Sequence, residues 1–353
     1  MNQLDILQEL RRKVGRDFNY ELEGEHVVTL RLSSDDYILG GLIRHHSVQE
    51  KEEILALIAR LTSLRVLDLR RCMVFKTPDQ LGDLTQLTHL DLGSNFLGKV
   101  PAWIERIEDL QYLNLGVNKL EALPSFLGKF KNMRSFLVHK NSITAFPEDF
   151  SSMKKLDYLN IYLNRIRDIP PIVWKFYNLR AFSWGLSGVK SISPEIANLK
   201  NLEYFTFVAN KLRVLPEAFC ELKKLKATRL HKNRLSELPS SIGNLESLEQ
   251  LTLYENELRT LPSSIAKLKN LEKLNISCNK FEKYPDELAE LPKLKWLAAY
   301  ENPALFDASR VPQVGRVLTQ RPLNARSEKQ ATIDQNEFGP VFCGKLQSSI
   351  PID

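Results

Sequence analysis

The chain has 353 residues, 43% of them hydrophobic, with 49 Lys+Arg against 43 Asp+Glu and a formal net charge of +6. That length fits several small domains or one continuous body, and the charge is too mild to define a nucleic-acid-binding protein. Four widely separated cysteines lack the spacing of a zinc knuckle or redox pair, and no apolar stretch is long enough to span a membrane.

At the N-terminus, MNQLDILQELRRKVGRD breaks its apolar positions with charges and so lacks the core of a secretory signal. With thiols read as reduced, this makes a cytoplasmic protein the expectation. Residues 1–63 read as an N-terminal cap of helix, strand and inserted helix. Val27, Leu30 and Leu32 have the pattern of a strand buried on one face. Ser47 and Glu50 have capping-box spacing ahead of Ile54, Leu55, Ile58 and Leu61 on one helical face.

From Leu64 the frame LxxLxLxxNxLxxLP recurs at one constant interval, with copies starting at Leu64, Leu87, Leu110, Met133, Leu156, Leu179, Leu202, Leu225, Leu248, Leu271 and Leu294. These eleven copies fill residues 64–303 without insertion or deletion. LxL alternates like a short strand with one buried face, so each copy supplies one rung of a parallel sheet. The Asn three residues later can donate to and accept from backbone groups left unpaired by the turn. It is replaced only by Cys72 and Ser187. The following LPxxIxxL is too short and too marked by proline for a long helix, and predicts a compact turn or 3₁₀ segment.

The copy from Leu179 is irregular, with Phe182 and Trp184 in place of strand leucines and Gly185 and Gly188 flanking the missing Asn. It tunes curvature, opens a pocket beside Leu163 and Leu186, or is a compensated packing variant, the simpler reading. Residues 304–319 read as a C-terminal cap in which Val311, Val314, Val317 and Leu318 form a closing helix. The repeat is absent from the tail, 320–353.

The segments LPSSIGNLESLEQLTLYENEL and LPSSIAKLKNLEKLNISCNKF resemble leucine-rich-repeat proteins of the 23-residue LPxxIxxL class, found in bacteria and in intracellular scaffolds. The resemblance implies an α/β solenoid, a horseshoe with a parallel sheet on its concave face and short turns on its convex face. It also implies binding of proteins or peptides, sometimes as one module of a larger enzyme. No phosphate loop or kinase motif accompanies the repeats. Cys343, followed by Gly344 and Lys345, does not resemble the CxD motif of bacterial leucine-rich-repeat ubiquitin ligases.

If the strand leucines point inward, the residues between and just after them face outward on the sheet. Leu137, His139, Tyr158, Tyr162, Leu163, Leu186, Tyr204 and Val208 then form an apolar and aromatic stretch, a candidate partner site. Arg229, His231 and Tyr254 continue it with polar and charged character. The expectation is a non-enzymatic scaffold for protein or peptide ligands in signalling or recognition, with no cofactor, metal or nucleic acid. Alternatives are an activity that uses the tail, or an exported ligand-binding protein.

Asp68 and Asp91 fall on adjacent rungs and could share a proton or a cation. With Arg70, Arg71 and His89 nearby, a neutralised structural pair is the stronger reading. His45 and His46 read as loop residues, and the lysine pairs 154–155 and 223–224 as solvated connectors. The sequon at Asn275 arises from the strand pattern.

Overall fold

The computed structural model describes residues 2–33 and 41–320. The chain divides into two compact units, Met1–Phe176 and Tyr177–Asp353, described in turn. The tail from 321 onward, with Cys343, lies outside the described residues.

The first unit opens with α1 (Gln3–Val14), capped by Asn2 and closed by Gly15 in the left-handed region (φ 69°). An antiparallel pair follows, β1 (Asn19–Glu23) and β2 (His26–Arg31). Then comes α2 (Val48–Ile58), where Ser47 and Glu50 satisfy each other's backbone N–H groups as a capping box. Leu30 of β2 pairs with Leu67 of β3 (Val66–Asp68), which starts the parallel ladder. β4 (His89–Asp91), β5 (Tyr112–Asn114), β6 (Ser135–Leu137) and β7 (Tyr158–Asn160) continue it in register, each one copy of the frame after the last.

In the second unit, β8 (Ala181–Ser183) is followed by β9 (Tyr204–Thr206), β10 (Ala227–Arg229), β11 (Gln250–Thr252), β12 (Lys273–Asn275), β13 (Trp296–Ala298) and β14 (Arg316–Leu318), all parallel. The expected closing helix is therefore absent. Arg316 pairs with Trp296, and Val314 and Val317 are the entry and core residues of one further rung. The spacing of the two valines suits a helix and a rung alike. Pro312 and Gly315 tip the balance by weakening the helix.

Between strands the chain returns through 3₁₀ turns, such as Ser125–Lys129 after Pro124, whose Leu127 is buried. The leucine comb fills the interior of each unit. At the irregular copy, Phe182 and Trp184 are fully buried and pack edge to face at 5.9 Å, so aromatics fill the volume of the missing leucines.

The turn after most strands of the parallel ladder repeats one hydrogen-bonding device. Asn256 donates through Nδ2 to the carbonyls of Leu230 (3.1 Å) and Leu253 (2.8 Å), and its Oδ1 accepts from the N–H of Leu235 (3.0 Å). Asn95, Asn118, Asn141, Asn233 and Asn279 make the same three bonds. The residue before the Asn takes a positive φ of 52–59° in every copy, including the β-branched Val117. That conformation costs about 1 kcal/mol for a non-glycine residue. It is held because the residue's own N–H also bonds the next rung, as Val117 does to the His139 carbonyl at 2.7 Å.

Asn256→Ala should strand one buried N–H and two carbonyls. We expect a loss of roughly 2–4 kcal/mol in urea unfolding, since a buried group left unpaired costs about 1–3 kcal/mol. A loss below about 0.5 kcal/mol would refute the ladder's structural role.

Candidate interaction surface

In the first unit the N-terminal part of the sheet face is a closed polar network. Asp68 and Asp91 are register partners on β3 and β4. Arg70 lies across them, donating to Asp68 at 2.7–3.2 Å and pairing with Asp91 at 3.4 Å. Ser33 donates to Asp68 (2.6 Å), while Asn114, Tyr112 and the Gly93 N–H donate to Asp91 at 2.9–3.2 Å. Burial, reinforced by Asp68, raises the Asp91 carboxyl above the usual carboxylate range, against the pull of Arg70 and its hydrogen-bond donors. Arg70 is the cation that faces both carboxylates. His89 instead stacks on Tyr112 at 5.9 Å, and its pKa is lowered by burial and by Arg31. Among the described residues no group of three or more His, Cys, Asp or Glu could hold a metal ion.

Further along this face the candidate residues separate by exposure. Leu137 (1% exposed) and Tyr158 (3%) are buried, although both belong to the outward row. Rungs only about 4.8 Å apart hold outward side chains shoulder to shoulder, so flanking residues cover the shorter ones. Asn114 and Asn160 are the register neighbours of Leu137 on the rungs to either side. His139 lies over Gly116, where a Cβ would meet the imidazole at 2.2 Å, so any larger residue would displace the ring. Burial, then Lys140, lowers the His139 pKa to about 4. Tyr162 is half-buried, and Leu163, at the left-handed position, is exposed.

The second unit shows the same division. Val208 and His231 are buried, Tyr204, Arg229 and Tyr254 are half-buried, and Leu186, again at the left-handed position, is exposed. His231 stacks on Tyr254 with centroids 4.2 Å apart and planes 13° apart. Burial, with Arg229 and Lys232 nearby, lowers its pKa to about 3. Trp296, packed with Ala298 and Tyr300 at the end of this face, was not among the candidates; aligning the residue ahead of each strand leucine would have flagged it.

The remaining features have structural roles. His46 Nε2 lies 2.9 Å from the Lys13 carbonyl. Lys155, Lys223 and Lys224 bond side chains at the equivalent place on neighbouring rungs: Asn132, Glu246 and Asn201. Asn275 is buried in β12, accepting from the Ser277 N–H, which closes that sequon to an oligosaccharide in the folded chain.

Family models give the same assignment. One described as a leucine-rich repeat region matches residues 45–182, and another described as a leucine rich repeat matches 246–303, together more than half of the chain. The chain belongs to the leucine-rich-repeat family. No curated protein sequence matches it.

Among solved structures it is similar to a leucine-rich-repeat protein of Leptospira interrogans, with TM-score 0.63, 28% identity and 74% of each chain covered. An internalin (inlF) of Listeria monocytogenes aligns over 90% of this chain and 95% of its own, with TM-score 0.63 and 17% identity. The plant peptide hormone receptor RGFR1, solved in complex with RGF2, aligns over 75% of this chain but 48% of its own, with TM-score 0.58 and 23% identity. The last two likenesses show the fold alone.

His231 folds neutral, with its pKa held below the unfolded value of about 6.5. The unfolded chain therefore binds more protons between pH 6.5 and 3, and stability is lost as pH falls through that window. His231→Phe keeps a ring against Tyr254. It should remove up to about 1.4 kcal/mol per pH unit of acid sensitivity in urea titrations between pH 6 and 4. An unchanged slope would contradict the buried neutral assignment.

Proposed function

We propose that this chain is a non-enzymatic scaffold that captures a protein or peptide on the solvent face of its sheet. The supporting observation is that each unit keeps aromatic and aliphatic side chains accessible beside a rigid, hydrogen-bonded floor. Tyr162 and Leu163 do so in the first unit, and Leu186, Tyr204 and Tyr254 in the second. Tyrosine offers a large contact area at little entropic cost, and strand-borne side chains are already ordered before binding. The peptide-hormone complex of a structural neighbour supports the reading, because the same fold there holds a peptide.

A role in intracellular recognition or signalling belongs to the same proposal. Buried, unpaired Cys72 and Cys220 suit a reducing compartment, their thiols pushed up to about 12 and about 11, chiefly by burial.

The test is affinity capture by the full chain with mass-spectrometric identification, then titration of the recovered partner. Tyr162→Ala with Leu163→Ala, and separately Tyr204→Ala with Tyr254→Ala, should weaken binding at least about tenfold at one face or the other. The thermal midpoint should move little in the Tyr162/Leu163 variant, whereas loss of the Tyr254 ring from His231 should lower it in the other, so binding is compared well below both midpoints. Retention of full affinity by both double variants would reject the sheet face as the site.

A further inference from the structure

The first two copies depart from the repeat on the flank of the first unit, between the Asn position and the following 3₁₀ turn. Phe75 is 52% exposed there, although equivalent residues in the next copies of the unit are Gly98, Glu121, Thr144 and Arg167. Phe75 stacks on Phe96, with centroids 5.0 Å and planes 12° apart, and the Lys119 ammonium sits 5.0 Å over the Phe96 ring.

Two clefts meet at Phe75. One, of about 340 Å³, is floored by Leu97, Pro101 and Trp103. The other, of about 250 Å³, runs between Phe75 and the exposed Val48. Lys76 borders both, and Lys99, one copy later, occupies the same place on the next rung. Later copies of the unit put Ala122, Ala145 and Asp168 there, so the two lysines are local to this flank. Neither has an ion pair among the described residues. Lys51, tied to the carbonyls of Arg44 and Met73, adds a further positive charge. Glu52 and Asp79 also line the clefts and only partly offset the lysines.

We propose that this flank is a second docking site, separate from the sheet face, for an acidic peptide segment that carries an apolar anchor. The chemistry selects that occupant. The clefts are concave and side-chain-sized, which suits an inserted anchor better than a lipid surface. Unpaired lysines around the exposed aromatic favour carboxylates on either side of that anchor. A second copy of this chain would bring lysines against lysines.

The probe is a fluorescein-labelled octapeptide with a Trp-Leu centre and Asp/Glu flanks, compared with the same peptide carrying Lys flanks, by fluorescence anisotropy on the full chain. The acidic peptide should bind saturably, lose affinity as salt rises, and weaken at least about tenfold in Lys76→Glu/Lys99→Glu and in Phe75→Ser. Tyr162→Ala/Leu163→Ala should leave it unchanged, which separates this site from the sheet face. Thermal unfolding checks that the variants are folded. The proposal is overturned by no saturation below about 1 mM, by equal binding of the basic peptide, or by indifference to charge reversal. Sedimentation with phosphatidylcholine/phosphatidylserine vesicles, without peptide binding, would overturn it in favour of a lipid surface.

Discussion

The asparagine amide that follows most rungs is the interaction on which everything else rests. A chain that leaves a three-residue strand and turns at once exposes backbone groups that neither sheet nor helix can pair, inside a core that excludes water. One amide serves three of them and reaches both the preceding and its own rung, as Asn256 does with Leu230, Leu235 and Leu253. It therefore sets the pitch as well as the turn. The left-handed residue before it is the consequence: a strained conformation is tolerated at Val117 or Lys140 because the residue's own N–H bonds the next rung while the following asparagine is anchored.

A fixed pitch decides how much of the sheet can meet a partner. Outward residues on rungs about 4.8 Å apart screen one another, so outward direction and accessibility are separate properties. Leu137 and Val208 point outward yet are buried, whereas Leu163 and Leu186, thrown clear by the left-handed turn, are exposed. The same crowding closes the Asp68–Arg70–Asp91 network, leaving each carboxylate engaged by several donors, and holds His139 and His231 neutral in buried sites.

Periodicity made the rungs, their register and the amide ladder legible, because each is one residue type recurring at one spacing. It could not separate a helix from a further rung at Val314 and Val317, since an i, i+3 apolar pair belongs to both. Nor could it show the positive φ before each Asn, where Arg, Ser, Val, Lys, Leu, Ala, Glu and Cys all occur and no glycine marks the position. Exposure on the sheet face escaped for a related reason. Whether Leu137 is covered depends on side chains of the rungs on either side, where its register neighbours Asn114 and Asn160 are remote from it along the chain. The stacking of His231 on Tyr254 is likewise an inter-rung contact.

A strict repeat also shows which positions the architecture fixes. The leucines, the asparagine and the glycine under His139 answer to packing, and changing them disturbs neighbouring rungs. Between the asparagine and the 3₁₀ turn, several residues of each copy carry no such duty, and composition there varies from rung to rung. An exposed phenylalanine stacked on a second aromatic, with lysines in equivalent places on two adjacent rungs, is not required by the core and leaves apolar surface in water. Departures of this kind, in a segment that the architecture leaves unconstrained, separate recognition from packing more cleanly than residues of the crowded sheet face, where each side chain also serves its neighbours.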